Sequence, residues 1–384
     1  MTNNTNFILN YFKDKDSKSN IVNLTKIFSL VFLILLFIFI LFFVNSDIKN
    51  SKTISKELHI LNWDDYTGTP ELIEKFESLY GVKVNIYTYL SDYEVFDRDL
   101  SEYDLILVRE SLISELRNQK LLSKLNFKNL DNMESLSTDC KLSNSNYNYF
   151  IPMIWGTTGV LINKELIPNH QTSWDVLWDK KYKNKTVMMN NVEEVLIANS
   201  MNTLSKAAPN SAYEIDMVKK FIIFQNRNLY GYYESSRDLE ILFRNGDIWA
   251  AQAYSDALSY FETSKNLTYY IPIEGANKWI DGFVIPKSSP NKYTAQLFSN
   301  FLLEENNNAE IALYFQMPTC NEKSKVHLGE EFLSNEAIYP NKYVKSRLIF
   351  ANDFQLNSKL NNFKEEISQI MENNHWELIE ENEE

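Results

Sequence analysis

At 384 residues the chain is too long for one ordinary core, so two domains are the starting expectation. Its 51 acidic against 38 basic residues give a net charge of −13. Nucleic acid is thereby disfavoured as a partner, because phosphate binding needs the opposite sign.

Residues 1–26 are polar and carry Lys13, Lys15, Lys18 and Lys26. Ile27 to Val44 is then a run of Ile, Leu, Phe and Val broken only by Ser29. As a helix it would span ~27 Å, close to the hydrocarbon thickness of a bilayer. The sequence therefore predicts one N-terminal transmembrane helix, an uncleaved signal anchor over 27–44. Residues 1–26 would be a cytoplasmic leader and 45–56 a tether. A cleaved signal peptide competes, with Val44-Asn45-Ser46 as a passable small-residue site, but the apolar run is longer than a usual signal core.

His59 to Trp63 reads as a strand running into an Asn-Trp-Asp-Asp-Tyr loop, Asn62 to Tyr66. Thr69 is a good N-cap, and Pro70 suits the first helical position. Leu72, Ile73, Phe76, Leu79 and Tyr80 fall at helical spacing, and Gly81 stops the helix. Val82, Val84 and Ile86 alternate as a strand should. This strand–loop–helix–strand unit implies a parallel sheet. Ligands sit beyond the carboxyl ends of such strands, where the Trp63, Asp65 and Tyr66 loop lies. Negative charge beside aromatic faces suits an organic cation.

Tyr103 to Val108 is another strand, ending at Arg109-Glu110-Ser111, a second candidate loop. Leu112 to Leu122 reads as a helix and 124–149 as irregular. Two apolar runs then meet at small residues, Ile151 to Gly156 and Thr157 to Asn163, which looks like a crossing between lobes. Ser173 caps a predicted helix. Thr186 to Met189 is a strand opening at Asn190-Asn191 into a helix with Glu193 and Glu194 in its first turn. Ile248 to Tyr254, Tyr269 to Pro272 and Trp279 to Pro286 are further strands, the last looking like the return crossing. Helical patterns dominate after Pro290.

Enzyme motifs are sparse. The four histidines are scattered, with no HExxH and no i,i+4 pair for a metal. There is no GxSxG, Walker loop or GxGxxG, and nine glycines leave little room for any. Neither a cofactor nor a metal is implied. Cys140 and Cys320 form no metal-type cluster. They could bridge outside the cell, but two unpaired, buried thiols is the favoured reading. What recurs is an acid beside an aromatic at a strand end: Trp63 with Asp65 and Tyr66, Tyr254 with Asp256, Trp279 with Asp281. Taken singly, each is more simply a core ring and a solvated carboxylate; repetition at strand ends favours a site. A buried ammonium requires a carboxylate. Ring faces hold a cation at ~0.5–2 kcal/mol each and cover methylenes at ~0.8 kcal/mol per buried CH₂. A linear polyamine has this anatomy.

Four stretches in this order resemble the bacterial spermidine/putrescine-binding proteins, solute-binding subunits of polyamine ABC transporters. They are the Asn62–Tyr66 loop, Ile-Pro-x-Ile-Trp-Gly-Thr-Thr-Gly from Ile151, Ser-Trp-x-x-Leu-Trp from Ser173, and Trp-x-Asp-x-x-x-Ile-Pro from Trp279. The resemblance runs from about Glu57 to Phe354. It implies an α/β, two-lobed periplasmic-binding-protein-like fold with two interlobe crossings. One lobe would hold 57–158 plus 281–325 and the other 159–280 plus 326–384. Trp63 and Tyr66 match aromatic wall positions; Asp65, Glu194 and Asp281 match amine-holding acids. Tyr254 falls where the family has Trp, and Trp279 matches the aromatic of the return crossing. The chain departs from the family at Asn191, where Asp is frequent, and at Ser111 and Met317, where Tyr is usual. Asp256 could restore the lost charge.

The resemblance implies a non-enzymatic, monomeric receptor for putrescine or spermidine that hands its ligand to a permease. The apolar run adds a tether outside the cell membrane, a departure from a family whose members are usually lipoproteins or periplasmic. The alternative is a sensor or carrier for another small organic cation. An extracellular hydrolase is a third reading, against which the missing nucleophile motif argues. Like carboxylates repelling across the cleft would favour an open form without ligand.

Overall fold

The computed structural model describes residues 31–37, 52–63, 68–89, 94–142, 145–169, 171–261, 265–350, 358–372 and 374. The chain divides into two units, Met1–Thr53 and Ile54–Glu384. In the first, Val31 to Phe37 is helical with every side chain exposed. The rest of the predicted anchor lies outside the described residues, as do Asp65 and Tyr66. Among the described residues no helix is long and apolar enough to cross a membrane.

The second unit opens on β1 (Glu57–Trp63), α1 (Pro70–Tyr80) and β2 (Lys83–Tyr89). Thr69 Oγ1 accepts the Leu72 amide at 3.2 Å, Pro70 starts the helix, and Gly81 ends it in the left-handed region at φ 65°. All three follow from the sequence. Leu72 and Phe76 face inward, and the Phe76 ring meets Phe298 edge-on at 4.9 Å. Burying such a ring contributes about 1.5–3 kcal/mol. Strands β1 and β2 pair in parallel, as expected. Beyond Val84, however, β2 is an uncovered edge: Ile86 is exposed and Tyr89 is the next buried residue.

The remaining strands are β3 (Leu105–Arg109), β4 (Ile151–Asn163), β5 (Thr186–Met189), β6 (Gly231–Tyr233), β7 (Ala250–Tyr254), β8 (Leu267–Tyr270), β9 (Ala276–Val284) and β10 (Leu348–Ile349). Their order is β2-β1-β3-β9-β4-β7-β5-β6, with β8 on β4 and β10 on β9. Each end of this path is a parallel trio: β2, β1 and β3 at one end, β7, β5 and β6 at the other. Between them run β4 and β9, antiparallel to each other. The first half of β4 pairs with β9, and its second half with β7 and β8. The crossing is thus one continuous strand of 13 residues, not two runs with a joint. Its small residues permit close approach. A Cβ on Gly156 would stand 2.3 Å from the Trp279 ring, and one on Gly159 would stand 2.5 Å from the Tyr270 carbonyl.

Two cores flank the crossing. One runs from Leu58 through Trp155 and resumes at Trp279; the other runs from Val160 to Ala276 and takes in Leu360 to Met371. In the second, α2 (Val192–Leu204) and α3 (Ala212–Asn226) pack together and against α5 (Ser358–Glu372). In the first, α4 (Lys292–Leu302) packs against α1. Elsewhere the expected helices shorten. Ser173 caps a single 3₁₀ turn, Trp174–Leu177, and the helix foreseen over 112–122 is Ile113–Asn118. The expectation of unpaired thiols is corrected: Cys140 and Cys320 form a disulfide with Cα atoms 5.5 Å apart. The fold brings together two residues 180 positions apart, which spacing alone could not reveal.

Candidate binding site

The carboxyl ends of both parallel trios face the crossing strands, and the aromatic residues gather there. Trp63 ends β1, Tyr254 ends β7, and Trp279 lies on β9. At their centre is a residue that acid-counting passes over. The Arg109 guanidinium carbon lies 4.9 Å from the Tyr254 ring centroid, 5.1 Å from Trp279 and 5.4 Å from Trp63. Each face-on contact of this kind contributes about 0.5–2 kcal/mol. Arg109 Nη1 donates to the Tyr254 hydroxyl at 3.1 Å. Its Nε stands 3.7 Å from Asp281 Oδ1, its partner in the antiparallel register of β3 and β9. Opposite charges directly across a ladder attract. The signal was present in sequence: a lone base closing a strand whose other residues are all apolar, Leu105 to Val108.

Glu194 belongs to the same neighbourhood. It sits in the first turn of α2 and is 2% exposed. Its Oε1 accepts from Asn277 Nδ2 at 2.8 Å, and its carbonyl accepts from Gln252 Nε2 at 2.9 Å. Burial raises its pKa above the usual carboxylate range, while the Arg109 charge pulls the other way. Among the described residues, Glu194 Oε2 and Trp279 Nε1 are buried without a hydrogen bond. Buried polar atoms of that kind are costly and call for an explanation. The neighbour of Arg109 in the second candidate loop, Glu110, is buried and accepts the Ile280 amide at 2.7 Å. Burial pushes its carboxyl up to about 8.

The structure therefore brings Trp63, Tyr254, Trp279 and Asp281 around one cation, with Glu194 within reach of its charge. Asp256 is buried close by, at the turn after β7. Asn191 is the N-cap of α2, its Oδ1 accepting the Glu193 and Glu194 amides at 3.0 and 3.1 Å. Ser111 is half-buried in the 3₁₀ turn after β3. Met317 is fully buried in the first core. Acids alone would repel across the crossing, but Arg109 places a positive charge among them. Among the described residues no His, Cys, Asp and Glu cluster could hold a metal.

Two α/β lobes exchanging β4 and β9, with an aromatic and acidic cluster at the exchange, define a two-lobed solute-binding fold. The chain belongs to the bacterial extracellular solute-binding protein family, whose model matches residues 71–339. It is 27% identical over 312 residues to the spermidine/putrescine-binding periplasmic protein of Salmonella typhimurium, covering 77% of this chain and 86% of that one. It is 28% identical over 322 residues to the putrescine-binding periplasmic protein of Escherichia coli, covering 76% and 85%. Its fold is similar to the crystal structure of a spermidine/putrescine ABC transporter substrate-binding protein from Streptococcus pneumoniae. That likeness has a TM-score of 0.74 at 24% identity, over 83% of this chain and 99% of the other.

Proposed function

We propose that the chain is the extracellular polyamine-binding subunit of an ABC transporter. It clamps putrescine or spermidine between its lobes, one built on 57–158 plus 281–325 and the other on 159–280 plus 326–384, and delivers it to a permease. The observation that carries this reading is the box of Trp63, Tyr254 and Trp279 with Asp281, which already holds an alkyl-linked cation. A site that accommodates a guanidinium on a methylene stem has the chemistry an aminoalkyl chain needs: rings for the charge and methylenes, a carboxylate for the counter-charge. Glu194, with Oε2 lacking a hydrogen bond, supports a second amine position on the other lobe. The polyamine names of the relatives support the same ligand class. Asp65 and Tyr66, beside Trp63, complete the wall in this reading, with Asp256, Asn191 and Ser111 at its margins.

The disulfide supports an oxidising, extracytoplasmic location. The apolar run 27–44 supports a single-pass membrane tether. The protein would act as a monomer and bind without turnover. Isothermal titration of the full-length chain tests the ligand class. Heat is expected with putrescine or spermidine, and none with any polyamine would refute it. Asp281→Asn removes the carboxylate that stands opposite Arg109 in the site. It should weaken binding by about tenfold or more, a loss of ~1.4 kcal/mol; an unchanged affinity removes Asp281 from the site.

A further inference from the structure

Trp63, Tyr254 and Trp279 surround a cation that the chain itself supplies. Arg109 is held from both sides of the crossing. Trp63 and Trp279 belong to one core, and the Tyr254 ring and hydroxyl reach it from the end of β7. Its backbone is fixed in β3 opposite Asp281, and the residue is only 9% exposed. Among the described residues, the three rings and Asp281 are engaged with this guanidinium. A second cation in the box would meet like charge at short range, with little water to screen it.

We infer that Arg109 is a resident cation that takes one amine's place, so that the ligand brings one ammonium fewer and the site selects a diamine over a triamine. This rests on the polyamine reading above. Asp281 pairs with Arg109, and Glu194, in the first turn of α2 with Oε1 on Asn277, is an acid among the described residues placed to hold a ligand ammonium. A linear diamine puts one of its two charges there. A triamine has a further charge whose berth is occupied. Guanidinium suits such a permanent post better than ammonium, being more weakly hydrated and always charged.

The experiment is isothermal titration of putrescine, spermidine and 4-aminobutyrate into the full-length chain and into Arg109→Ser, Arg109→Gln and Arg109→Lys, with thermal unfolding of each. The wild type should bind putrescine about tenfold or more tighter than spermidine. Arg109→Ser should raise spermidine affinity about tenfold and narrow or reverse that ratio, while Arg109→Lys keeps the wild-type order. If Arg109→Ser does not fold, Arg109→Gln, which keeps bulk without charge, is read in its place. Polyamine binding with the same ratio in wild type and neutral variants overturns this inference alone. So does a wild type that prefers spermidine, or one that prefers 4-aminobutyrate, whose carboxylate would make Arg109 an anion receptor. Failure of every protein to bind either polyamine overturns the polyamine reading and this inference together.

Discussion

Replacing both Cys140 and Cys320 by Ser should cost about 2–5 kcal/mol of folding stability, measured by urea unfolding of the wild type and the double variant. The bridge closes a loop of 180 residues, and the chain-entropy relation gives about 5 kcal/mol for a loop that long. That figure is a ceiling, since denatured chains keep some structure. The native surroundings favour a sizeable share of it. Both cysteines are fully buried in the first core. The Ser137 amide donates to the Cys320 carbonyl at 2.8 Å, and the Cys320 amide to the Met153 carbonyl at 3.2 Å, so the bridge lies against the start of β4. The residue before Cys140 is Asp139, which pairs with Lys278 on β9 at 3.3 Å and with Lys345 at 2.6 Å. The Lys278 ammonium also lies 4.5 Å from the Trp155 ring centroid. The disulfide thus positions the acid that neutralises a buried lysine on the crossing strand, and removing it should loosen β9 as well as the loop. A double variant within about 0.5 kcal/mol of wild type would show that the bridge adds nothing to the packing around it.

What could be read in the sequence was local. Thr69, Pro70 and Gly81 each act through their own backbone, so the bounds of α1 were visible without a fold. The crossing strand β4 was visible because it is largely apolar over a length that burial on both faces explains. Alternation on β2 shows which residues share a face but not whether anything covers it, and Ile86 is exposed for that reason. Gly156 looks like a joint in sequence, yet its task is to let the Trp279 indole lie against β4, a contact between residues far apart in the chain. The cysteine pairing was hidden by the same distance.

Arg109 was hidden for a different reason. Looking for a cation site means looking for acids and rings, so the sequence places Arg109 in a candidate loop but gives it no role there. Trp63, Tyr254, Trp279 and Asp281 were all found that way, and they do converge. The search did not allow for the protein supplying the cation itself. That exchange turns a cluster of mutually repelling carboxylates into one with an internal counter-charge.

Glu110→Gln should flatten the pH dependence of stability between about pH 5 and 8, and this is the largest single-residue effect expected. Burial lifts the Glu110 carboxyl from an ordinary 4.5 to about 8, against the opposing pull of the Ile280 amide and the Arg109 charge. Below about pH 4.5 the group is protonated in both folded and unfolded chains and has no effect on their balance. Between that point and about pH 8 the unfolded chain ionises while the folded one keeps its proton, so stability falls as pH rises, by about 1.4 kcal/mol per unit. Above about pH 8 the folded form ionises too and the loss levels off at roughly 3–5 kcal/mol. Gln retains an oxygen for the Ile280 amide and cannot ionise. Urea unfolding of both proteins at pH 5 and pH 8 isolates this group, because every other titrating residue is common to them. The variant should be the more stable of the two at pH 8 by several times its margin at pH 5. Parallel stability curves would mean that Glu110 titrates in the folded chain as it does in the unfolded one, with the Ile280 amide and the Arg109 charge offsetting its burial.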